Sequence, residues 1–437
     1  MKMFFSNLAL HTLINNRRQY VSLFSVCVVG IAIMLSAVWI TDGMLKAVED
    51  KARIYYGGDL VFMVSMTEKN EQGLSSKNIE NPYEKMEVLK SLVPEDTTLS
   101  YRIEYDAREA QIFFEGTSIR QRMFKGVDFY AENHLLGRFN FLEGGLPDSS
   151  KTNAILISEP ASRQLGVKAG DAVLVQMKTD NGYTNTLDMY VSGIFIDSSL
   201  FGSYTAYLDI NALRTLASVE DDFSNRICMS YSVEKPLLKK NVVRMQKKLE
   251  SIFNMYPLTD NKTEYARFAR KRLERTYALI TLDANIKDLQ MLIDALKVVV
   301  LLIIVILVSI ISVGIGSTYR ITVMKRITEI GTYRAIGMKP AGVRNVFLVE
   351  SMYLLVAGFL AAVLLTLGIT SILSMFDFSF IPAFDIFLEN SHICSKIRIF
   401  KSLGLFLIIA VTTILSMLFT IRNVVHISPV SALATTT

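Results

Sequence analysis

Four long apolar runs, none of which contains Asp, Glu, Lys or Arg, constrain this chain more than any other feature. A helix needs about 20 mostly apolar residues to cross a bilayer. Each run reaches that length: Val21–Ile40, Val298–Tyr319, Ser351–Phe376 and Ser402–Ile421. The chain is nevertheless 20% charged, which is too polar for a bundle buried wholly in lipid, and at 51% hydrophobic it is too apolar for an ordinary soluble protein. We therefore predict a protein with four membrane helices and a large aqueous domain.

The first run reads as an uncleaved membrane anchor. Arg17 and Arg18 precede it, as basic residues precede a secretory signal. The run is longer than a signal core, however, and no small-x-small cleavage site follows it. Cys27 stands behind Val26, with no small residue just before it, so a lipoprotein processing site is also rejected.

The distribution of charge predicts the orientation. With the N-terminus inside, the cytoplasmic pieces hold ten basic residues against two acidic ones. The segment 42–297 holds 33 basic and 36 acidic residues, and the loop 377–401 holds three of each. Because positive charge is retained on the cytoplasmic side, we expect both termini in the cytoplasm. The formal net charge of +5 is then an orientation signal, and nucleic acid is not implied.

The aqueous segment alternates strand-like and helix-like stretches. Residues 59–65, 97–106 and 227–233 predict strands, while 81–93 and 236–253 predict helices, so that two β-α-β patterns flank a middle region. The middle, about 110–225, is rich in short strands and glycine turns. We predict an α+β membrane protein with a large extracytoplasmic α/β domain between the first and second spans, interrupted by a β-rich insertion.

No catalytic or metal site is predicted. The three cysteines and four histidines are scattered, and Asp221-Asp222 reads as a solvated turn. No G-x-x-x-x-G-K-[ST] motif occurs, so ATP would have to bind to another subunit. The absence of ionisable residues from the four runs argues against a path for ions.

A heptad-like stripe leads into the second span. Apolar residues recur at steps of three and four from Leu279 to Ile303, and we single out five of them as a stalk seam: Leu282, Ile286, Leu289, Ile293 and Leu296. The spacing predicts one uninterrupted helix that links the outer domain to the membrane. It would face the helical extension of the first span (about 41–54) or a partner subunit; the alternative is that the stripe packs only on its own domain.

The segment Arg320–Glu350 carries the most specific motif. It contains Glu329-Ile330-Gly331 and then Arg334-Ala335-Ile336-Gly337, with a basic residue following and Glu350 at the next span. This pattern resembles the signature of FtsX/MacB-type ABC transporter permeases, and the order of one span, a large domain and three further spans matches that family over the whole chain. The resemblance implies a coupling helix seated on a separate ABC ATPase subunit, with Glu329 and Arg334 meeting polar groups of the ATPase and glycines allowing tight turns at the helix ends. It implies that ATP and Mg²⁺ are bound by that subunit, that this chain is no enzyme, and that a second permease copy or a paralogue completes a dimer.

Further stretches resemble the lipoprotein-releasing LolC/LolE permeases. They are 157–171, with Leu165-Gly166-Val167 and Gly170-Asp171, and 191–209; the tail 427–433 resembles the family's C-terminal element. The sequence departs from the family at Pro340. The resemblance implies a permease that transmits the motion of the ATPase to the outer domain and releases lipoproteins from the outer leaflet; MacB-like export of drugs or peptides with a periplasmic adaptor and FtsX-like signalling to a cell-wall hydrolase stay open as alternatives.

We therefore divide the chain, placed in the cytoplasmic (inner) membrane, into an amphipathic helix (1–20), the first span (21–40), the extracytoplasmic domain with its stalks (41–297), the second span (298–319), the coupling loop (320–350), the third span (351–376), an outer loop (377–401), the fourth span (402–421) and a cytoplasmic tail (422–437).

Overall fold

The computed structural model describes residues 13, 17–65, 78–106, 110–148, 152–179, 182–199, 201–231, 239–269, 275–378 and 381–424. The predicted amphipathic helix 1–20, apart from residues 13 and 17–20, and the tail motif 427–433 lie outside the described residues. Packing divides the chain into two units. The helical unit comprises Met1–Met44, Asp294–Phe376 and Ile393–Thr437, and the sheet unit comprises Leu45–Ile293 and Asp377–His392.

In chain order the elements are α1 (Arg17–Tyr56), β1 (Leu60–Ser65), α2 (Pro82–Leu92), β2 (Thr98–Asp106), β3 (Gln111–Phe114), β4 (Thr117–Arg120), β5 (Met123–Val127), α3 (Asn133–Leu136), β6 (Phe141–Gly144), β7 (Ala154–Ser158), α4 (Glu159–Leu165), β8 (Ala172–Lys178), β9 (Thr184–Phe195), β10 (Thr205–Asp209), α5 (Ile210–Ala217), β11 (Arg226–Ser230), α6 (Lys239–Glu250), α7 (Lys262–Ala269), β12 (Thr276–Thr281), α8 (Leu282–Asn285), α9 (Lys287–Lys325), α10 (Ile327–Ala335), α11 (Pro340–Leu373), a 3-10 turn (Pro382–Phe387) and α12 (Ile399–Val424).

Four helices among the described residues are long and apolar enough to cross a membrane. They are Tyr20–Tyr56, Lys287–Gly314, Pro340–Leu373 and Ile399–Phe419, and each contains a long apolar window. The larger part of the mixed α/β sheet unit, Leu45–Ile293, is inserted between the first and the second of them, and its smaller part, Asp377–His392, lies between the third and the fourth. The predicted fold class is thus confirmed, and the chain is a multi-pass membrane protein.

The helical unit has an apolar core of its own. Leu23, Cys27 and Ile31 of α1 pack with Leu354 and Leu355 of α11, and residues of α9 and α12 complete the cluster. In lipid, close packing of side chains and not exclusion of water holds such helices together, so the core fixes the bundle by shape.

The strands formed by the two ends of the sheet unit are interleaved. Their order is β12-β1-β11-β2, and each neighbouring pair is antiparallel. The two predicted β-α-β patterns are present as β1-α2-β2 and β11-α6-α7-β12, but their strands are interleaved, because β11 lies between β1 and β2, and β1 lies between β11 and β12. This is the split β-α-β arrangement of ferredoxin-like domains. Interleaving buries both helices, α2 and α6, in one core with the sheet.

The strands β3–β10 form the insertion. It joins the four strands β12-β1-β11-β2 where β5 pairs with β2. From β5 the sheet continues without interruption through β10, β7, β9 and β8 to β3 and β4. The insertion has a separate core that includes Ile112, Val175, Val191 and Leu213. One sheet therefore carries a separate core in each of its two parts.

The predicted stalk helix begins later than we expected. Leu279 lies in β12, where it pairs with Phe62 of β1, and Ile286 separates the short helix α8 from α9. Five of the six residues of β12 are buried and the sixth is half-buried, so a strand with both faces covered supplied the first apolar position of the stripe. The Thr281 hydroxyl then caps α8 by accepting from the Ala284 N–H at 3.2 Å.

Candidate coupling site

The segment 320–350 is almost wholly helical. Helix α9 continues to Lys325, and α11 begins at Pro340, which occupies the first turn where its missing N–H costs nothing. Between them lies α10, a helix of nine residues. The predicted short helix is present, and the third apolar helix starts eleven residues before the predicted span.

Glycine terminates α10. Gly337 has φ +95°, a left-handed conformation that glycine adopts readily. The Met338 N–H donates to the Tyr333 carbonyl and the Gly337 N–H to the Arg334 carbonyl, which is the Schellman pattern of helix ends. Gly331, by contrast, is buried in the middle of α10, so our expectation of a turn at this glycine is wrong.

A buried arginine sits at the start of α10. The Arg326 side chain is 2% exposed, and its Nη1 donates to Glu350 Oε2 at 2.9 Å and to the Tyr20 hydroxyl at 3.0 Å. The Tyr20 hydroxyl in turn donates to Glu350 Oε2 at 2.9 Å. Arg326 also lies over the Phe347 ring, 4.8 Å from its centroid. We call Tyr20, Arg326 and Glu350 the buried triad.

The buried triad joins three elements of the helical unit. Tyr20 belongs to α1, Arg326 directly precedes α10 and Glu350 belongs to α11. Burying an ion pair is costly unless its geometry is good, and removing one partner leaves the other charge uncompensated. Arg326 Nη2 and Glu350 Oε1 find no partner among the described residues. The triad therefore fixes where α10 begins, and its stability depends on all three members.

Sequence reasoning missed this triad. Arg326 counted only toward the positive-inside charge, and Tyr20 lay just outside the predicted first span. A usable signal existed for one member, because Glu350 directly precedes the third apolar run, where an ionised side chain needs a partner.

The motif residues divide into anchored and exposed groups. Ile330 is buried in the core of the helical unit. Glu329 accepts from Arg326 Nε at 2.7 Å, and Arg334 Nη1 donates to the Met338 carbonyl at 3.3 Å. Ala335 and Gly337 are exposed. Half of the motif thus holds α10 in place.

An exposed apolar residue stands at the tip. Ile336, between Ala335 and Gly337, is 80% exposed, and Lys339 close by is also exposed. Arg334 Nε is buried without a partner among the residues that the structure describes. A short helix held from one side and presenting an apolar and basic tip on the other suits contact with a second protein.

The stalk seam lies in the sheet unit for most of its length. Leu282, Ile286 and Ile293 are buried in one cluster with Val48 and Ala52 of α1, and Leu289 packs against that cluster. Phe201 and Ile386 complete the cluster. Leu296, further along α9, is half-buried. Between Leu282 and Ile293 the seam thus contacts the extension of the first helix.

No group of three or more His, Cys, Asp or Glu among the described residues could hold a metal ion.

The C-terminal part of the chain matches a known family model. Residues 299–429 match the family model of the FtsX-like permease C-terminal domain. The matched stretch of this chain includes α10, Arg326 and Glu350. In a comparison of structures, 55% of this chain aligns with 95% of the periplasmic region of MacB from Actinobacillus actinomycetemcomitans, with a TM-score of 0.32 and 10% sequence identity. No curated protein matches the sequence.

Proposed function

We propose that this chain is the membrane subunit of an ABC transporter and receives the motion of a separate ATPase subunit through α10. The observation that carries the proposal is the way in which α10 is attached to the neighbouring helices. A nine-residue helix, inside the stretch that matches the FtsX-like permease domain, is held to α1 and α11 by the buried triad and exposes Ile336 at its tip. A displacement of α10 must then displace both helices, because packed elements move as bodies.

The proposal includes the partners and the orientation. ATP and Mg²⁺ bind to the ATPase subunit, this chain binds no cofactor, and a second permease copy or a paralogue completes the complex. The loop with α10 faces the cytoplasm, where its basic residues favour it, so the sheet unit lies outside.

Lipoproteins are the client class that we propose. The stretches Leu165-Gly166-Val167 with Gly170-Asp171 and 191–209 resemble the lipoprotein-releasing permeases. Gly166 and Gly170 have φ +78° and +97°, so both turns need the glycine that the motif supplies.

Purification of the detergent-solubilised chain with an ATP analogue tests the proposal. We expect an ABC ATPase and acylated lipoproteins to co-purify, as mass spectrometry would detect. An ATPase with an adaptor or a hydrolase would replace lipoprotein release by export or signalling. Recovery of the folded chain without any ATPase would refute the coupling role of α10.

A pair of variants tests the contact itself. Arg334→Glu reverses a charge on α10. It should reduce the amount of ATPase that co-purifies, because an anion at this position no longer complements the groups of the ATPase that the cation would meet. Arg163→Glu, which reverses an exposed charge in the sheet unit, is the matched control. Equal recovery of the ATPase with both variants would place the contact elsewhere.

A further inference from the structure

The C-terminal end of α1 is built into the sheet unit. The last carbonyls of an α-helix have no partner within the helix. Here the Arg53 carbonyl accepts from the N–H groups of Gly57 and Gly58, at 2.9 and 2.8 Å. The Tyr56 carbonyl lies 3.5 Å from the Cys228 thiol of β11, which donates to it.

Two buried cations bind the remaining carbonyls. Arg102 Nη1 of β2 donates to the carbonyls of Ile54 and Tyr55, both at 3.0 Å. Lys125 Nζ of β5 donates to the Tyr55 carbonyl at 2.5 Å and lies 3.5 Å from the centroid of the Tyr55 ring. Cations are favoured there, because the helix dipole places negative charge at a C-terminus. We call these two carbonyls with Arg102 and Lys125 the joint.

Each cation is held from the sheet side by its own carboxylate. Arg102 forms a forked pair with Glu132, and both side chains are fully buried. Lys125, also fully buried, donates to Glu104 Oε1 at 2.6 Å. A forked guanidinium fixes direction as well as distance. The helix end is therefore bound to two neighbouring strands by groups that cannot reorient without losing a buried ion pair.

The backbone around the joint is equally constrained. A Cβ at Gly57, which has φ +88°, would stand 2.6 Å from Cys228 Sγ and 2.8 Å from Arg102 Nε. A Cβ at Gly58 would stand 2.4 Å from the Met229 carbonyl oxygen. Because they have no side chain, the two glycines let the chain pass from α1 to β1 in close contact with β11.

We infer that Arg102 and Lys125 are positioning residues that fix α1 to the sheet, so that the sheet unit follows a displacement of α1. The inference rests on the proposed function, since it assigns a role within the same transmission of motion. It adds a specific site for that transmission. Helix α1 runs unbroken from Arg17 to Tyr56 and carries Tyr20 of the buried triad near its start and the joint at its end.

The test compares two distances in the complex with the co-purified ATPase, with and without an ATP analogue. Spin labels at Met324→Cys and Tyr183→Cys report on the sheet unit, and labels at Met324→Cys and Met375→Cys report on the helical unit alone; the three residues are 53%, 73% and 81% exposed, and none of them lies on α10. Cys394, which is half-buried, is replaced by Ser, and labelled chains are diluted with unlabelled ones.

In the otherwise unchanged chain we expect the analogue to shift both distances. Arg102→Met should remove most of the shift to Tyr183 and keep the shift to Met375. Lys125→Met should do the same, and it serves if Arg102→Met does not fold. Arg226→Met is the matched control, because Arg226 pairs with Glu104 at 2.7 Å, in the same network, and its described hydrogen bond is to that carboxylate and not to the carbonyls of α1; both shifts should persist in it.

The outcomes separate the two hypotheses. If the analogue shifts neither distance in the unchanged chain, the proposed function fails and the joint fails with it. If it shifts only the distance to Met375 in that chain, or if Arg102→Met and Lys125→Met keep both shifts, only the joint is overturned. If Arg226→Met loses the shift to Tyr183 as they do, general weakening of the sheet accounts for the loss and the joint is likewise overturned.

Discussion

Replacing the buried triad by apolar side chains should separate stability from coupling. Arg326→Met alone leaves the Glu350 carboxylate buried without its cation, and Glu350→Leu alone leaves the guanidinium unpaired. Breaking a buried pair in this way costs about 3–5 kcal/mol of unfolding free energy. The side chains are 2% and 0% exposed, so water cannot replace the missing partner.

The triple variant Tyr20→Phe, Arg326→Met and Glu350→Leu should behave differently. Arg326→Met and Glu350→Leu together would leave the Tyr20 hydroxyl without both of its partners, which costs about 1–3 kcal/mol of unfolding free energy. Tyr20→Phe removes that hydroxyl. Glu329 also loses Arg326, but its side chain is 41% exposed and can be hydrated. Apolar replacement of a whole buried pair is often neutral or stabilising. The triple variant should therefore unfold within about 1 kcal/mol of the unchanged chain or above it.

Coupling should be lost in the triple variant all the same, because nothing polar then orients the start of α10 against α1 and α11. Stability is measured by thermal unfolding in detergent, and coupling by the ATP hydrolysis rate of the assembled complex relative to the free ATPase. A triple variant with the stability and the hydrolysis ratio of the unchanged chain would refute the reasoning, since the triad would then have no role in coupling.

Three further changes test other parts of the chain. Gly331→Trp, at a buried position of α10, should lower the unfolding free energy by about 1–3 kcal/mol through overpacking. The chain should still insert into membranes, but the complex should hydrolyse ATP no differently from the free ATPase; a hydrolysis ratio equal to that of the unchanged chain would contradict this. Ile286→Glu should reduce coupling more than Leu292→Glu, because Ile286 is 4% exposed and Leu292 is 55% exposed, and equal effects would argue against the seam. Burial lowers the pKa of Lys125 to about 8, despite Glu104, while the unfolded lysine keeps a pKa near its ordinary 10.5. The unfolded chain then binds the extra proton between these pH values, so the unfolding free energy should rise with pH by up to about 1.4 kcal/mol per unit relative to Lys125→Met, and a constant difference would contradict the shift.

Local signals in the sequence were sufficient for the elements and for the fold class. Asn81-Pro82 marks the start of α2 because proline suits the first turn of a helix, and the structure begins α2 at Pro82. The glycines around β8 and β9 mark turns in the same way, as at Gly182 with φ +84°. Such features depend on neighbours in the chain, which a sequence displays directly.

Pairings between distant residues could not be predicted. Arg102 and Glu132 are 30 positions apart, and Tyr20 and Glu350 are 330 apart, so no spacing links them. The start of the stripe at Leu279 was misassigned to a helix for a related reason, because an apolar strand followed by an amphipathic helix can imitate heptad spacing over two steps. The order β12-β1-β11-β2 likewise depends on which strands meet in space.

Helix α1 is bound by polar groups at intervals along its whole length. The Tyr20 hydroxyl binds the other two members of the buried triad, and Asp42 accepts from Lys401. Further along, Lys51 donates to Asp385 at 2.9 Å, and the last carbonyls accept from the two cations of the joint.

The second membrane helix is held differently. Only 6% of the apolar window of α9 is buried within the chain, against 44% for α1. A helix that is bound at many points cannot slide along its neighbours without breaking several buried bonds at once, whereas the part of α9 beyond the seam, which is mostly exposed, can shift at lower cost within the chain. Motion that begins at α10 should therefore reach the sheet unit chiefly through α1, and single changes along α1 should weaken coupling more than changes on the exposed face of α9.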